Sequence, residues 1–125
     1  MGQYLIDSNA VIDYLGNLLP PVGTNFMDNI IPAISTITRI EILGWYNATP
    51  QQLHRLHSFI NNTKQYTLTE AIIEATIKLR QQHKIKTPDA ITAATALVYK
   101  LILISRNTSD FKNINELQLI NPYVI

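Results

Sequence analysis

Residues 4–16 have the sequence YLIDSNAVIDYLG. The apolar run at 4–6 predicts a short strand, which the polar Asp7-Ser8-Asn9 ends. Apolar residues then recur at helical spacing up to Gly16, at Val11, Ile12 and Leu15. A strand, a turn and a helix in this order are the unit from which α/β folds are built.

The remainder of the chain repeats this alternation of strands and helices. We predict further strands over residues 32–35, 66–68, 101–105 and 117–120. A loop is predicted at Pro20-Pro21-Val22-Gly23, then a short helix around 25–29 and a helix that carries residues 37–45. Three longer helices are predicted to start at capping threonines, Thr49, Thr69 and Thr87, and to end near residues 61, 82 and 99. Strands that alternate with helices pair in parallel through right-handed crossovers, so the prediction is an α/β fold, a three-layer α/β/α sandwich with a mostly parallel sheet.

Composition sets limits on the function. A chain of 125 residues is predicted to form a single domain, 1–125, that buries roughly two thirds of its unfolded surface. It contains no cysteine, which excludes a disulfide framework, a thiolate metal site and a cysteine nucleophile. No apolar run approaches the roughly 20 residues that span a bilayer, so we expect no membrane and a cytoplasmic protein. A formal charge of +1 gives no broad electrostatic surface for nucleic acid.

Four acidic residues follow short apolar runs: Asp7, Glu41, Asp89 and Asp110. The carboxyl ends of parallel strands line one crevice, so these side chains can converge there. Carboxylates gathered without Arg or Lys repel one another strongly, and hard divalent cations relieve that repulsion. The sequence therefore predicts a metal-dependent enzyme.

Each acid also has a structural interpretation that the sequence leaves open. Asp7 could cap the first helix. Glu41 follows Thr38 at the spacing of a capping box, but a strand that ends at Ser35 would place Glu41 more than one turn inside the helix and leave its side chain to face the crevice. Asp89 lies in a first helical turn, where the macrodipole favours an anion. Asp110 could be an ordinary turn residue. The four together favour the metal site, because all are expected at one edge of the sheet.

Four motifs carry a family resemblance: Leu5-Ile6-Asp7-Ser8-Asn9, the segment from Ser35 to Glu41, the segment from Thr87 to Ala94, and the segment from Ser105 to Phe111. In this order and spacing they resemble a PIN-domain nuclease, most nearly the small VapC-type toxins. The likeness spans nearly the whole chain. Ser8 stands where Thr is frequent, and Gly44 comes slightly early after Glu41.

The resemblance implies an endoribonuclease, a hydrolase that uses Mg²⁺ or Mn²⁺ to cut RNA. Asp7, Glu41, Asp89 and Asp110 match the family's acidic positions and are expected to hold the metal. Asp7 is expected to be the central ligand because it comes from the middle strand of the predicted sheet. Asn9 and Asn107 match polar positions that orient those ligands. The resemblance also implies a toxin-antitoxin pair with a small antitoxin protein and a homodimer, which apolar residues on the early helices support weakly.

Basic and histidine side chains give weaker indications of function than the four acids. Arg39 and Arg106 flank motif residues and are candidates to contact RNA phosphates, although a solvated Arg is the more frequent case. His54 and His57 have a spacing that suits Zn²⁺, but no third ligand is adjacent, so surface histidines are expected. Asp13 is expected on the solvent face of the first helix.

Three other classes of protein are alternatives to the nuclease. A receiver-type signalling domain wants an acidic pair after the first strand and a lysine near the last, and neither is present. A phosphatase with an Asp-x-Asp motif is excluded because the third position is Asn9. A PIN-like module that binds RNA or protein without cleaving remains open.

Overall fold

Five strands, all paired in parallel, form the central sheet of the computed structural model, which describes residues 3–125. Their order across the sheet is β3-β2-β1-β4-β5. The strands are β1 (Tyr4–Ile6), β2 (Pro32–Ser35), β3 (Lys64–Tyr66), β4 (Ile102–Ile104) and β5 (Leu119–Ile120). The order places β1 in the centre, so whatever follows β1 lies at the middle of the sheet's carboxyl edge.

Helices cover both faces of this sheet, which confirms the predicted three-layer sandwich. Within the described residues they are α1 (Ser8–Leu15), α2 (Pro21–Asp28), α3 (Thr36–Leu43), α4 (Pro50–Asn61), α5 (Glu70–Gln82), α6 (Thr87–Tyr99) and the short α7 (Thr108–Phe111). No helix in residues 3–125 is long and apolar enough to cross a membrane.

Strand side chains alternate between two apolar cores. Leu5, Ala33 and Leu103 are buried with residues of α5 and α6 on one face. Their successors Ile6, Ile34 and Ile104 are buried with residues of α1, α2 and α4 on the other. This alternation is the period-2 pattern of a strand that is covered on both sides. It fixes the register of the central strands, because a shift by one residue would exchange the two faces.

The first part of the predicted connection between α1 and β2 is wrong. Residues 20–23, predicted as a loop, include the first turn of α2, which begins at Pro21 rather than near residue 25. Proline suits that position because its missing N–H would be unpaired there. Gly23 lies against the far end of the chain, where a Cβ would stand only 2.0 Å from the carbonyl oxygen of Pro122. That close backbone contact fixes this helix and has no local sequence signal.

Several element boundaries also differ from the prediction. α3 ends at Leu43 with Gly44 as its C-cap, so Trp45 lies beyond the helix. β3 lies two residues earlier than predicted, at Lys64–Tyr66. Thr49 and Thr69 cap α4 and α5 as expected, the former in a capping box with Gln52. Thr87 does not cap α6, because the N-cap is Lys86 and no side chain caps that helix.

Candidate active site

Asp7 follows the central strand and is held by three donors. It is the N-cap of α1, where its Oδ1 accepts from the backbone N–H of Ser8 at 2.8 Å. Its Oδ2 accepts from the Ser105 hydroxyl at 2.8 Å and the Asn9 amide at 3.3 Å. Burial raises the pKa of Asp7 most strongly, and the charge of Glu41 adds to it, while the hydrogen bonds from Ser105, Ser8 and Asn9 oppose the rise. Asp7 is thus both a helix cap and a buried carboxylate at the crevice.

Glu41 reaches the same crevice from α3. The N-cap of this helix is Ser35, whose hydroxyl accepts from the N–H of Thr38. Glu41 is therefore more than one turn inside the helix, and the capping-box interpretation of Thr38 and Glu41 is wrong. Its carboxylate accepts instead from the Ser8 hydroxyl at 2.5 Å, beside Asp7. α3 therefore places the Glu41 side chain at the site.

Asp89 is a partly buried carboxylate whose pKa is clearly raised. It lies in the first turn of α6, and its pKa is raised to about 6. Burial is the largest cause, followed by the charges of Asp7, Asp110 and Glu41, while Lys86 lowers the pKa. The macrodipole of α6 favours an ionised acid here by only about 0.3–1 kcal/mol. Burial and the three neighbouring carboxylates outweigh it, so structural stabilisation does not explain this residue.

Asp110 lies in α7 and is exposed. Asn107, just before that helix, donates its amide N–H to Asp110 Oδ2 at 2.7 Å. The next residue, Phe111, is buried in the core beneath the α5–α6 layer and anchors the short helix. Asp110 is near enough to Asp89 for its charge to raise the Asp89 pKa.

An open pocket of about 340 Å³ collects most of the predicted residues. Its lining is Asp7, Ser8, Asn9, Ile12, Asp13, Glu41, Trp45, Asp89 and Arg106. Asp110 is outside this lining and faces an adjoining pocket instead. Arg39 is exposed and also lies outside the lining. Three predicted acids and Asn9 therefore share one pocket, and Asp110 is its neighbour.

Arg106 lines the acidic pocket but is paired with another acid. Its guanidinium contacts Asp13 at 2.9 Å, and its backbone N–H donates to the Asn9 side chain at 3.0 Å. Asp13 is buried, so its predicted place on the solvent face is wrong. The reason is a partner 93 residues further along the chain. Because Asp13 engages the one cation of the pocket lining, Asp7, Glu41 and Asp89 are left without a positive neighbour there.

The donor set suits a hard divalent cation, although the side chains are not gathered around one point. In residues 3–125, no three side chains of His, Cys, Asp or Glu are close enough together to hold one metal ion. Glu41 and Asp110 are hydrogen-bonded to Ser8 and Asn107 instead. Both are exposed and can change rotamer at little cost. All candidate ligands are oxygen atoms, which Mg²⁺ and Mn²⁺ prefer, and their mutual repulsion raises the Asp89 pKa.

Ser105 was not predicted as a site residue, yet it connects the predicted ones. It follows β4, is fully buried, and its hydroxyl donates to Asp7. The same oxygen accepts from the Asn9 amide at 3.3 Å and from the backbone N–H of Asn107 at 3.0 Å. A serine at the end of a strand is too common to stand out in a sequence. Its position after the strand that pairs with β1 was the available signal.

The comparison with known proteins agrees with this geometry. The model of the PIN domain family matches residues 4–117. A chain of a toxin-antitoxin complex from Klebsiella pneumoniae is 32% identical, with 98% of this chain and 99% of that chain covered and a TM-score of 0.79. Two further chains share the fold. A chain of VapBC-1 from nontypeable Haemophilus influenzae is 23% identical, with 95% of this chain and 97% of that chain covered and a TM-score of 0.78. A chain of DNA-bound VapBC from Salmonella typhimurium is 17% identical, with 98% of this chain and 99% of that chain covered and a TM-score of 0.83. No curated protein matches this chain.

The chain belongs to the PIN domain family. This is a class whose VapC members are nucleases, in agreement with an acidic pocket at the carboxyl edge of a parallel sheet. Within the class, the chain is a PIN domain of the VapC toxin type.

Proposed function

We propose that this protein is a Mg²⁺- or Mn²⁺-dependent endoribonuclease that acts in the cytoplasm as the toxin of a toxin-antitoxin pair. The observation that carries the proposal is the pocket at the carboxyl edge of the sheet, which brings Asp7, Glu41 and Asp89 together. The pKa of Asp89, raised to about 6 by burial and by Asp7, Asp110 and Glu41, supports it, because carboxylates that repel one another in this way lower the stability of the fold. Perturbed groups of this kind cluster at functional sites.

Each site residue has a role that follows from its position. Asp7, Glu41 and Asp89 would bind the cation, with Asp110 completing the set from the adjoining side. Asn9 and Asn107 orient Asp7 and Asp110 through their amide hydrogen bonds. A bound divalent cation would supply activation of water and neutralisation of the charge that develops on the phosphodiester.

Arg106 is the stronger of the two candidates for contact with the RNA phosphate. Asp13 fixes its guanidinium at the acidic pocket, where a phosphate must approach the carboxylates. A guanidinium offers several donors in a rigid fork, so it can serve Asp13 and a phosphate together. Arg39 is exposed and outside the pocket lining, and would meet only a more distant phosphate.

One observation favours a second function, a PIN-like module that binds RNA or a protein without cleaving. It is the separation of the carboxylates, no three of which are within reach of one ion in the described residues. In that case the side chains would keep their present hydrogen bonds when divalent cations are added. A titration with Mn²⁺, followed by electron paramagnetic resonance, distinguishes the two functions because only the nuclease takes up the ion.

We expect the purified protein to cut single-stranded RNA in the presence of Mg²⁺ or Mn²⁺ and to stop when EDTA is added, because the carboxylates alone cannot activate water. Cleavage is measured by gel electrophoresis of an end-labelled RNA. The Asp7→Asn variant, purified in parallel, controls for a contaminating ribonuclease. Equal cleavage by the variant, or cleavage that persists in EDTA, would refute the proposed mechanism.

A small antitoxin protein is the proposed partner, and an apolar groove beside the active site is its proposed docking surface. The groove has a volume of about 280 Å³ and is lined by Ile12, Leu15, Gly16, Leu18, Trp45, Gln52, Arg55 and Leu56. It shares Ile12 and Trp45 with the acidic pocket. A partner segment with apolar residues in the groove could therefore place a basic side chain against the carboxylates, which is the charge complementarity an inhibitor needs.

We further propose a homodimer, formed on the opposite layer of the sandwich. Ile73 and Ile77 are one turn apart on α5, with exposed fractions of 36% and 52%. α5 packs with α6 over the first core, whereas α1 and α4 border the antitoxin groove on the second. Because the two apolar surfaces are in different layers, a second copy and an antitoxin can bind together.

Two substitutions are expected to separate these partners. Leu18→Lys puts a charge into the groove and should abolish co-purification of a small protein from the native source while the dimer persists. Ile77→Lys should convert the dimer to a monomer in light scattering without releasing the small protein. Ile31→Lys is the matched control, because Ile31 is 66% exposed, against 61% for Leu18, and lines neither surface. Loss of both partners in one variant would contradict the assignment of separate surfaces.

A further inference from the structure

Three basic side chains line a second pocket, separate from the acidic one. This basic pocket, of about 320 Å³, is formed by Arg80, Lys84, Ile85, Lys86 and Asp110. The chain as a whole has a formal charge of +1, so three cations around one depression are a local concentration of charge. Asp110 is the one acid among the lining residues.

The segment that carries these cations is fixed in place. Residues 83–86 connect α5 to α6, and Ile85 is buried in the first core. Arg80, in the last turn of α5, donates its Nε–H to the carbonyl of Ile85 at 3.3 Å. Lys84 and Lys86 flank the buried Ile85 and are themselves exposed. The connection therefore presents its lysines from an anchored backbone.

Within residues 3–125 the cations of the basic pocket form no ion pair, and Lys86 acts on Asp89 only through its charge. The only ion pair within residues 3–125 joins Arg106 to Asp13, so Arg80, Lys84 and Lys86 have no carboxylate partner in that part of the chain. Lys86 is also the N-cap of α6, a helix of 13 residues that no side chain caps. The positive end of the helix dipole adds to the potential at this point.

Two charge interactions link the basic pocket to the active site. Asp110 and Lys86 line the basic pocket, and the charges of both act on Asp89, which lines the acidic pocket. Arg106 also lines the acidic pocket. A polyanion bound at the carboxylates is therefore near enough to meet both Arg106 and the cations of the basic pocket.

We propose that Arg80, Lys84 and Lys86 form the binding subsite for the phosphates of the single-stranded RNA that flank the cleaved bond. This inference rests on the proposed ribonuclease function and deepens it, because it names the surface that holds the strand. Cations that contact phosphates release counterions, so the affinity falls with salt by a slope of about 0.7 for each phosphate contact on a single strand. The proposal therefore predicts that these three residues determine how steeply the RNA affinity falls with salt concentration.

The test measures binding separately from cleavage. The probe is a fluorescein-labelled single-stranded RNA of about twelve nucleotides, a length within the range of single-strand binding sites. Its anisotropy is followed with the full chain in EDTA, at several salt concentrations. We expect Lys84→Gln/Lys86→Gln to weaken binding about tenfold at low salt and to reduce the salt slope by about 1.4, corresponding to two lost phosphate contacts. These two lysines make no side-chain hydrogen bond or ion pair in the described residues, so the fold should be kept.

A matched variant and a kinetic measurement complete the test. Lys78→Gln/Lys100→Gln removes two charges from lysines that line neither the acidic nor the basic pocket, and should leave the slope unchanged. In cleavage assays with Mg²⁺, Lys84→Gln alone should raise KM about threefold with kcat unchanged, because flanking contacts bind substrate and transition state alike and Lys86, whose charge acts on Asp89, is retained. In the binding assay, adding Arg80→Gln to Lys84→Gln/Lys86→Gln should reduce the slope further.

The possible outcomes separate this inference from the proposed function. An unchanged slope for Lys84→Gln/Lys86→Gln, or the same reduction in Lys78→Gln/Lys100→Gln, would overturn the subsite. A parent protein that does not bind the RNA would overturn it too. A parent that binds RNA with the expected slope but does not cleave it would support the subsite and refute the ribonuclease.

Discussion

Asp89→Asn is expected to abolish RNA cleavage and at the same time to stabilise the metal-free protein above pH 6. The substitution keeps the volume of the side chain and removes one charge from the cluster that includes Asp7, Glu41 and Asp110. A metal ligand contributes several kcal/mol to a phosphoryl-transfer transition state, so the rate should fall by on the order of 10²–10³-fold or more. Cleavage assays in Mg²⁺ measure this loss.

The stability gain follows from the pKa of about 6, which lies above the ordinary 3.8. Between these values the folded state retains a proton that the unfolded chain has lost, so the free energy of unfolding falls as the pH rises through this window. The destabilisation is absent below about pH 4 and complete above about pH 6. Because solvent screens the charge of this partly exposed side chain, the destabilisation amounts to on the order of 1 kcal/mol. Denaturation in EDTA should therefore show Asp89→Asn to be more stable than the parent at pH 8 and equal to it at pH 3.5.

Glu70→Gln is the matched control for Asp89→Asn. Glu70 is an exposed acid in the first turn of α5, the same kind of position without the acidic cluster. Its neutralisation should lower the free energy of unfolding by about 0.3–1 kcal/mol, because the interaction with the helix dipole is lost, and should leave cleavage unchanged. If Asp89→Asn behaved in the same way, destabilised and fully active, Asp89 would be a structural residue.

Ser105→Ala is expected to lower both stability and activity, although Ser105 touches no substrate. The loss of its hydroxyl removes a donor to Asp7 and the acceptor of Asn9 and of the Asn107 backbone. Leaving buried polar groups unpaired costs about 1–3 kcal/mol. Partners that orient metal ligands contribute about 10–100-fold to activity, and we expect a loss of that size.

The pH dependence of cleavage distinguishes a positioning role of Ser105 from a general packing defect. The hydrogen bond from Ser105 lowers the pKa of Asp7, so its removal should raise that pKa further. A carboxylate must be ionised to bind a cation, so with Asp7 as the proposed metal ligand the acidic limb of the pH–rate profile should move to higher pH in Ser105→Ala. Ser105→Thr keeps the hydroxyl and should restore the parental limb, whatever its extra methyl group costs in stability.

Ser109→Ala is the control for the loop that carries Asn107 and Asp110. Ser109 is exposed, and its hydroxyl makes a single long contact of 3.4 Å to Asn107. Activity and the acidic limb should both be unchanged. An Ser105→Ala variant that lost activity with no movement of the limb would show that Ser105 acts only by packing.

The parts of the fold that sequence predicted well are those decided by local patterns. The alternation of Leu5 and Ile6 between two cores follows from the geometry of a strand, and the cap of α4 follows from Thr49 and the proline after it. The start of α2 was missed because Pro20-Pro21 suits both a turn and a first helical turn. The contact between Gly23 and Pro122 favours the helix, and it joins positions far apart in the chain.

The candidate site also combines residues that local sequence patterns identify with residues whose positions depend on distant parts of the chain. Asp7 and Glu41 were recognisable because each comes soon after a strand that reaches one edge of the sheet, and Asp89 because Thr87-Pro88 marks the helix start beside it. The structure brings all three into one pocket. Arg106 was recognisable only as a nearby cation. Its pairing with Asp13, and the buried position of Asp13, depend on α1 meeting the segment after β4, which no local pattern specifies.

The sequence by itself determined the α/β class, the strand before Asp7, and the turns and helix starts that carry the acids, because period and turn chemistry act over a few neighbouring residues. Tertiary structure alone decided how those acids are held and how strongly they repel. Ser105 reaches Asp7 across 98 positions, and Asp89 acquires a pKa of about 6 from burial and from three carboxylates on other elements. Such effects depend on distance in space and on exclusion of water, which exist only once the sheet and its helices are assembled.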